Sequence, residues 1–469
     1  MISSKPTKLF MLALQGAQSF RSYTSNAIRK KICIVGSGPA GFYTAQYLLK
    51  NKSIEIDIFE RLPVPFGLIR YGVAPDHPEI KVVTNSFTKV AQNERCNFYG
   101  NVTVGKDVKL SELQDNYHAV VLAYGASQDR TLQIPGEESK NVLSARSFVG
   151  WYNGHPDHVN EQILLDTDTA VVIGHGNVAL DVARILLQRL DNLKTTDITE
   201  YAYEALKKSQ VQKVVLIGRR GPLQVSFTIK ELRELIKLSG CVTKMNVTDF
   251  KGIPEIISSL PRPKKRITQL MYDTASKNET GSSKTCEIKF LRRPNCILSD
   301  DQGRVTSLIC KINKMEGTFE NPQILQTEEE DVIKCGLVLR SVGYKSVLIE
   351  PDIPFDKTKH IILNDGGRVE GKENLFCSGW VKTGPTGVIV STMSGSYETA
   401  EKILADIDKL ASKPLAGNEI ILELLKQRGV KVTTFNHWME MDKLEQERGK
   451  ALGKPRVKIC DIDEMLEIV

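Results

Sequence analysis

The sequence lacks three features that would place it in familiar classes of protein. No apolar run approaches the roughly 20 residues that a membrane-spanning helix needs, which excludes a spanning protein. The nine cysteines include no C-x-x-C pair and no histidine at zinc-finger spacing. This argues against a metal site, an iron–sulfur cluster, a disulfide scaffold and a redox-active dithiol. The net charge of +7 is too small and too dispersed to indicate nucleic-acid binding, and it fits an acidic protein partner better.

Acidic residues are absent from the amino-terminal segment, where the first is Glu55. Residues 1–31 contain six lysines and arginines together with many Ser and Thr, which is typical of a mitochondrial transit peptide. Arg21 stands two residues before Tyr23, as at a matrix-processing site, so we expect residues 1–23 to be removed on import. The alternatives are a disordered tail and a secretory signal, for which the apolar stretch 9–14 is short.

A glycine-rich motif follows the first predicted strand. Lys31–Val35 is apolar, and the sequence G-S-G-P-A-G then leads directly into a helical run. In this motif Gly36 makes the turn, Gly38 lets the backbone approach a pyrophosphate, and Gly41 lets the helix pack on the strand. The next predicted strand ends at Glu60, where a carboxylate can accept hydrogen bonds from ribose hydroxyls. This segment predicts a dinucleotide site suited to the adenosine half of FAD.

A second motif of this kind begins at Gly174, after the predicted strand 170–173, and has Ala179 as its third small residue. The following strand ends in Arg219 and Arg220 instead of an acid. An acid would repel a 2′-phosphate, whereas paired guanidiniums can bind one, so the second site is predicted to prefer NADPH over NADH. A solvated arginine pair without a ligand is the alternative. Flavin and NADPH on one chain indicate a redox enzyme.

The carboxy-terminal third contains another small-residue turn, at 383–389, ahead of a helical stretch. Backbone N–H groups at the start of a helix favour the electron-rich side of a reduced flavin. Gly387, Val388 and Ile389 are therefore assigned to the flavin. Trp380 is either an ordinary core aromatic or a platform beside the flavin ring, and its position leaves both interpretations open.

The spacing of the motifs predicts an α/β fold with two Rossmann-like dinucleotide-binding domains. We expect the NADPH domain, residues 126–344, to be inserted into a discontinuous FAD domain formed by residues 30–125 and 345–469. Residues 262–330 are polar and show no clear periodicity, so they are expected to form an exposed, irregular region of the inserted domain.

Five longer motifs resemble the mitochondrial adrenodoxin reductase (ferredoxin–NADP reductase) family, and its fungal members in particular. They are Glu60–Pro78, Phe148–Gly154, His175–Ala183, Arg219–Val225 and Gly453–Arg456. The similarity runs from about residue 30 to the carboxy terminus.

The resemblance implies a set of cofactor contacts. Those for FAD fall on Ala40, Glu60, Leu68, Val104, Trp380, Gly387, Val388 and Ile389. Those for NADP fall on His175, Gly176, Asn177, Val178, Arg219, Arg220, Glu231 and Gly387. His175 stands where a glutamine is expected in animal relatives, and a histidine can make coenzyme binding depend on pH. His77 and Asp181 match a His and an Asp near the flavin in the family, as participants in proton or electron transfer; a turn residue bonded to backbone is the alternative for His77.

The resemblance also implies the reaction: hydride passes from NADPH to FAD, and single electrons pass to a mitochondrial [2Fe-2S] ferredoxin. Four cations fall within residues 261–266, and Arg262 and Arg266 are expected to contact this acidic partner. The implied location is the mitochondrial matrix, with peripheral association with the inner membrane left open. Iron–sulfur cluster assembly, haem A synthesis and P450 chains remain alternative downstream roles.

Three rival functions are weaker. A flavin monooxygenase would carry F-x-G-x-x-x-H, but after Phe148 and Gly150 the histidine, His155, comes one residue too late. A disulfide reductase would need a dithiol that the sequence lacks. A non-catalytic NADPH-binding scaffold would bind no flavin.

Overall fold

The computed structural model describes residues 29–277, 282–317, 321–387, 389–410 and 413–469. The expected transit peptide, residues 1–23, and the expected flavin contact Val388 lie outside the described residues. Within the described ranges, no helix is both long enough and apolar enough to cross a bilayer. Helices and strands are numbered in chain order.

The first sheet has eight strands with apolar, parallel strands at its centre. The strands are β1 (Lys30–Val35), β2 (Ile54–Phe59), β3 (Cys96–Gly100), β4 (Ala119–Leu122), β18 (Asn364–Asp365), β19 (Arg368–Val369), β20 (Leu375–Cys377) and β21 (Thr433–Thr434). They lie in the order β18-β19-β20-β4-β1-β2-β3-β21, and β20, β4, β1, β2 and β3 run parallel. The central strands are almost fully buried, as expected for a parallel sheet covered by helices on both faces.

The second sheet has six strands and is parallel throughout. The strands are β6 (Val142–Ser144), β7 (Thr169–Ile173), β8 (Lys213–Ile217), β9 (Cys241–Met245), β10 (Lys284–Lys289) and β14 (Leu337–Arg340). Their order is β6-β14-β7-β8-β10-β9.

The second sheet is inserted within the sequence of the first. The first sheet stops at Leu122 and resumes at Asn364, and every strand of the second sheet lies between these positions. The two connecting segments pair with each other, since β5 (Gln128–Asp129) is antiparallel to β15 (Tyr344–Lys345). The expected insertion is therefore present, while the domain boundaries at residues 125 and 344 stay predictions.

The prediction of an irregular region over residues 262–330 is wrong. The region contains regular elements, namely α11 (Arg262–Ala275), β10, β11 (Arg292–Ser299), β12 (Val305–Gly317) and the start of β13 (Pro322–Lys334). Strands β11, β12 and β13 form an antiparallel sheet. Its outer strand is largely exposed, so its sequence is polar and lacks the apolar signal of a buried strand.

The other helices pack against the two parallel sheets or connect the strands. They are α1 (Pro39–Leu48), α2 (Leu68–Tyr71), α3 (Pro78–Lys81), α4 (Thr84–Ala91), α5 (Leu110–Asn116), α6 (Ala145–Asn153), α7 (Asn177–Leu187), α8 (Leu190–Lys194), α9 (Glu200–Lys207), α10 (Ile229–Ile236), α12 (Trp380–Thr383), α13 (Ile389–Asp406), α14 (Asn418–Gln427), α15 (Phe435–Ala451) and α16 (Ile462–Glu467). A short pair, β16 (Phe355–Asp356) and β17 (Ile361–Ile362), completes the strands of the described residues. Helices α1 and α7 each follow a glycine motif.

Candidate functional site

The first glycine loop, residues 36–41, joins the carboxyl end of β1 to α1. Gly36 has a φ of 109°, and a Cβ there would lie 2.6 Å from the carbonyl oxygen of Ala123. A Cβ on Gly41 would lie 2.0 Å from the carbonyl oxygen of Gly36, whereas a Cβ on Gly38 would meet no atom within 4 Å. The loop is therefore closed against protein at both ends and open at Gly38, as a pyrophosphate site requires.

Glu60 faces this loop. Its Oε2 atom accepts hydrogen bonds from the backbone N–H of Ser37 at 2.9 Å and from the Ser37 hydroxyl at 2.7 Å. Its Oε1 atom accepts from the backbone N–H of Leu62 at 3.1 Å. No side chain caps the start of α1, so its first N–H groups stay available to an anion. The loop, the helix start and the fixed carboxylate together fit the adenosine diphosphate part of FAD.

Several other expected flavin contacts lie near this loop. Ala40 packs against Gly379, where an added Cβ would lie 2.4 Å from the Ala40 methyl group. Trp380 is half-buried and stacks on Tyr344, with ring centroids 5.7 Å apart. Leu68 is 41% exposed at the start of α2, where an apolar side chain can contact a ligand. Trp380 thus has one aromatic neighbour in place, and the platform interpretation stays a prediction.

The remaining expected flavin residues lie in two different settings. Val104 is buried in the apolar core beneath the first sheet. Gly387 has a φ of 85°, and Ile389 begins α13 two residues later. Because α13 packs along α1, the turn before α13 belongs to the same domain face as the first glycine loop.

The second glycine loop, residues 174–179, repeats this geometry between β7 and α7. Gly174 has a φ of 141°, and a Cβ there would lie 2.1 Å from the carbonyl oxygen of Ser341. Gly176 faces open space, and no side chain caps the helix that follows. Asn177 accepts a hydrogen bond from the backbone N–H of Thr228 at 2.7 Å, and the half-buried Val178 packs on the core. The second loop therefore offers a second anion site, open at Gly176.

His175 turns into the protein. Its ring packs edge-on against Phe290, with centroids 5.1 Å apart, and Nε2 lies 3.4 Å from the carbonyl oxygen of Leu216. Burial lowers the pKa of His175 from 6.5 to about 4, and the positive charge of Arg220 contributes. The imidazole is therefore neutral near pH 7, so this histidine does not make the charge of the site depend on pH in the physiological range.

The arginine turn, residues 218–221, follows β8. Arg219 and Arg220 are exposed, and neither forms an ion pair with another described residue. The backbone of the turn is firmly held, because the N–H of Gly218 donates to the carbonyl oxygen of Lys289 at 3.1 Å. Two exposed guanidiniums on a fixed backbone can bind a phosphate bidentately.

A buried charged cluster lies where the two domains meet, and Arg184 is at its centre. The Arg184 guanidinium donates to Asp76 at 2.6 Å and 3.1 Å and to Asp181 at 2.8 Å. It also lies 3.4 Å from Glu231 and 3.7 Å from Glu234. This interdomain cluster consists of Asp76, His77, Asp181, Arg184, Glu231 and Glu234.

His77 joins the cluster through Glu234, since its Nε2 atom lies 2.8 Å from Glu234 Oε2. Burial and the charge of Asp181 raise the pKa of Glu231 to about 7, and burial also raises the pKa of Asp181. The cluster can therefore hold a proton at neutral pH. The ligand atoms of His77, Glu231 and Glu234 lie within 4.8 Å of one another, a set that a metal ion could bridge, but Arg184 already supplies positive charge there. The expected absence of a metal stays a prediction.

Of the residues in the interdomain cluster, His77, Asp181 and Glu231 were expected from the family resemblance, whereas Arg184, Asp76 and Glu234 were not. Asp76 and Arg184 are 108 positions apart in the chain, so no local pattern could pair them. One signal was available: Glu231 and Glu234 are three residues apart on α10 and share a helix face.

The two arginines expected to contact a partner lie on α11. Arg262 and Arg266 are exposed and one helical turn apart, and neither forms an ion pair within the described residues. They therefore present two positive charges on one face of the helix.

All nine cysteines are free, and seven of them are buried. Burial raises the pKa of Cys241 to about 11 and of Cys335 to about 12, so these thiols stay protonated. A protonated, buried thiol is a poor nucleophile, so Cys241 and Cys335 are unsuited to thiol–disulfide exchange.

The two glycine loops and the residues around them match a known family of proteins. The family model described as pyridine nucleotide-disulphide oxidoreductase matches residues 30–239. Fold and site together define an oxidoreductase that uses FAD and NADPH in two dinucleotide-binding domains.

Two mitochondrial NADPH:adrenodoxin oxidoreductases, from Salvelinus fontinalis and Homo sapiens, are each 48% identical to this chain. The alignments cover 98% and 94% of this chain and 97% and 92% of the relatives. The solved structure of Mycobacterium tuberculosis FprA in complex with NADPH is 37% identical, covers 94% of this chain and 99% of its own, and has a TM-score of 0.89. The chain belongs to the NADPH:adrenodoxin oxidoreductase family. This membership confirms the predicted family, fold class, enzyme class and cofactors, while the particular similarity to fungal members stays a prediction.

Proposed function

We propose that this enzyme takes a hydride from NADPH onto FAD and delivers the electrons one at a time to a mitochondrial [2Fe-2S] ferredoxin. One observation carries the proposal: the strands beside two glycine loops of the same geometry are followed by opposite charges. These are Glu60 in the first domain and Arg219 with Arg220 in the second. FAD supplies the chemistry, since it accepts electrons in pairs and releases them singly. The names of the relatives, which include adrenodoxin and ferredoxin, support this acceptor.

The first domain holds FAD. Gly36, Gly38 and Gly41 shape the loop around the pyrophosphate, and Glu60 accepts from the ribose. The other proposed contacts come from three parts of the same domain: Ala40, Leu68, Val104, Trp380, Gly387, Val388 and Ile389.

The second domain holds NADPH. Arg219 and Arg220 bind the 2′-phosphate, and the start of α7 binds the pyrophosphate. The remaining proposed contacts are His175, Gly176, Asn177, Val178, Glu231 and Gly387.

The interdomain cluster would supply and accept the protons that accompany electron transfer on a bound flavin. Glu231, whose pKa lies at about 7, holds a proton at its carboxyl group. His77 Nε2, which is bonded to Glu234, and the Asp181 carboxylate are the groups that we propose exchange it. Arg184 keeps its charge and holds the carboxylates in place. Hydride transfer itself needs no side-chain base, so the cluster acts on protons that accompany the electrons.

Arg262 and Arg266 orient the ferredoxin. An acidic partner is attracted by these two exposed charges, and such attraction raises the association rate and falls with salt. We place the enzyme in the mitochondrial matrix, in agreement with the acid-free amino terminus and the mitochondrial relatives, and include peripheral contact with the inner membrane. The electrons then serve iron–sulfur cluster assembly, haem A synthesis or a P450 chain.

An anaerobic titration tests the proposal. NADPH is added to the purified holoenzyme while the visible spectrum is followed, and oxidised ferredoxin is then added with cytochrome c as the final acceptor. We expect the flavin absorbance to bleach and cytochrome c reduction to require ferredoxin. Matched samples with NADH, and without ferredoxin, serve as controls.

Two results contradict the proposal. A bleached flavin with no effect of ferredoxin, together with oxygen consumption on an organic substrate in an aerobic repeat, favours a monooxygenase. The absence of a flavin band after reconstitution with FAD contradicts an enzyme of any of these kinds.

A further inference from the structure

The arginine turn is held by a part of the second domain that lies outside its parallel sheet. Strand β12 of the antiparallel sheet passes beside the turn, and a Cβ added to Gly221 would lie 3.6 Å from the side chain of Met315. Two residues earlier on β12, Asn313 donates from Nδ2 to the carbonyl oxygen of Arg219 at 2.7 Å. The backbone of the first arginine is therefore fixed by one buried side chain.

The second arginine is held through Leu291. The N–H of Leu291 donates to the carbonyl oxygen of Arg220 at 3.1 Å, and the Leu291 carbonyl accepts from the N–H of Asn313 at 2.8 Å. Leu291 has a φ of 59°, a left-handed conformation that leucine rarely adopts. Asn313 thus bonds directly to Arg219 and, through a strained residue, to Arg220.

Asn313 is a poor residue for packing alone. It is 3% exposed, and its Oδ1 atom has no hydrogen-bond partner among the described residues. An unpaired amide oxygen inside a protein is unfavourable, so an apolar side chain of similar size would suit a purely structural position better. Unfavourable local conformations concentrate at functional sites, where the surrounding structure maintains them.

We propose that Asn313 is a positioning residue for the coenzyme: by fixing the backbone of Arg219 and Arg220, it sets the preference for a 2′-phosphorylated nicotinamide dinucleotide. The inference rests on the proposed function of the arginine turn. Arginine side chains lose conformational freedom when they grip a phosphate, and a fixed backbone reduces what must be ordered on binding. NADH has no 2′-phosphate, so its binding does not depend on the turn.

The test compares three variants of the holoenzyme in NADPH- and NADH-dependent ferricyanide reduction. Asn313→Leu removes the bond to Arg219 and the unpaired oxygen together. Asn313→Asp keeps the side-chain shape, but an ionised carboxylate cannot donate to the carbonyl oxygen of Arg219 and adds a negative charge beside the arginine turn. Thr327→Ala is the matched control. Thr327 donates to the carbonyl oxygen of Ile312 at 2.8 Å, a bond that joins β13 to β12 in the same antiparallel sheet but does not involve the arginine turn.

For Asn313→Leu we expect the KM for NADPH to rise about fivefold, because this is the effect of losing one well-placed hydrogen bond. The kcat with NADPH and the KM for NADH should change less than about twofold, and Tm should not fall. Asn313→Asp should raise the KM for NADPH further, and Thr327→Ala should leave it unchanged.

Equal rises in KM for NADPH and NADH would overturn the inference, as would an effect of Thr327→Ala as large as that of Asn313→Leu. If Asn313→Leu does not fold, Asn313→Ala decides the question, because it removes the same hydrogen bond without adding volume or a buried charge. A wild-type enzyme with no preference for NADPH would overturn the proposed function of the turn, and this inference with it.

Discussion

The two glycine loops differ in what stands at the end of the neighbouring strand. In the first domain Glu60 is bonded to Ser37 of the loop itself, whereas in the second domain Arg219 and Arg220 are exposed and unpaired within the described residues. The loops share an open central glycine and an uncapped helix. On the proposed function, the shared backbone of the two loops binds the dinucleotide in each domain, and the charge at the end of the neighbouring strand selects between FAD and NADPH.

The loops also differ at their third small residue. A Cβ at Gly41 would lie 2.0 Å from a carbonyl oxygen of its own loop, whereas the second loop accommodates the Ala179 methyl group in a fully buried position. The second helix therefore lies farther from its loop than the first.

The largest effect is expected from exchanging these residues. Gly41→Ala forces the loop and α1 apart at a cost of about 3 kcal/mol, roughly a hundredfold in FAD affinity. The reverse change, Ala179→Gly, should alter the KM for NADPH by less than about threefold. The flavin content of the purified proteins and their NADPH kinetics provide the measurement. If purified Gly41→Ala is saturated with FAD, the first loop can accommodate a methyl group at this position as the second loop does.

The next effect concerns the strand-end charges. The double change Arg219→Ala and Arg220→Ala removes charge-assisted hydrogen bonds to the 2′-phosphate, and the KM for NADPH should rise roughly a hundredfold while that for NADH stays constant. Lys207→Ala, on the surface of the same domain, is the control. If the KM values for NADPH and NADH rise together, the arginine turn maintains the structure of the domain and does not discriminate between the two coenzymes.

A smaller effect is expected on the acceptor side. The change Arg262→Glu with Arg266→Glu should lower kcat/KM for ferredoxin about tenfold at low salt, and less at high salt, because the charges act on encounter. NADPH-dependent ferricyanide reduction should stay nearly intact. Lys207→Glu with Lys208→Glu alters net charge equally at another site and serves as control. Loss of both activities together would contradict the docking assignment.

The smallest effect at neutral pH is expected from His175, whose contribution appears only on acidification. The folded protein keeps His175 neutral down to about pH 4, whereas the unfolded chain protonates it near 6.5, so its contribution to stability is lost as the pH falls through this window. Between pH 6.5 and pH 4, His175→Gln should therefore lose about 3 kcal/mol less stability than the wild-type protein, whereas near pH 7 this titration contributes no difference. Denaturant titrations at several pH values measure this. If the free energy of unfolding depends on pH in the same way in both proteins, the His175 ring is solvated, in contrast to the buried Ser37 at the same position of the first loop.

The parallel sheets were predictable because buried strands are short apolar runs. The expected strands Lys31–Val35 and 170–173 fall within β1 and β7, each of which begins one residue earlier. The glycine motifs then placed α1 and α7. Strand β13 escaped prediction because its exposed residues follow no apolar pattern, although it pairs with β12 over most of its length.

The site was predictable only where its residues are close in sequence. The loops and the arginine pair each lie within a few residues of a strand end, so spacing identified them. Arg184 and Asn313 contact partners that are 108 and 94 positions away along the chain, respectively. Such contacts form only through the tertiary fold, so no sequence spacing predicts them.

The pairing of β5 with β15 restricts how the two domains can move. Two connections lie side by side, joined by Tyr344 opposite Asp129 and Lys345 opposite Gln128. A body attached at two adjacent points can rotate about the line of attachment, but it cannot spin about its own axis as a singly tethered domain can. A rotation of this kind would change the distance between Arg184 of the second domain and Asp76 of the first, whose ion pair connects the two domains.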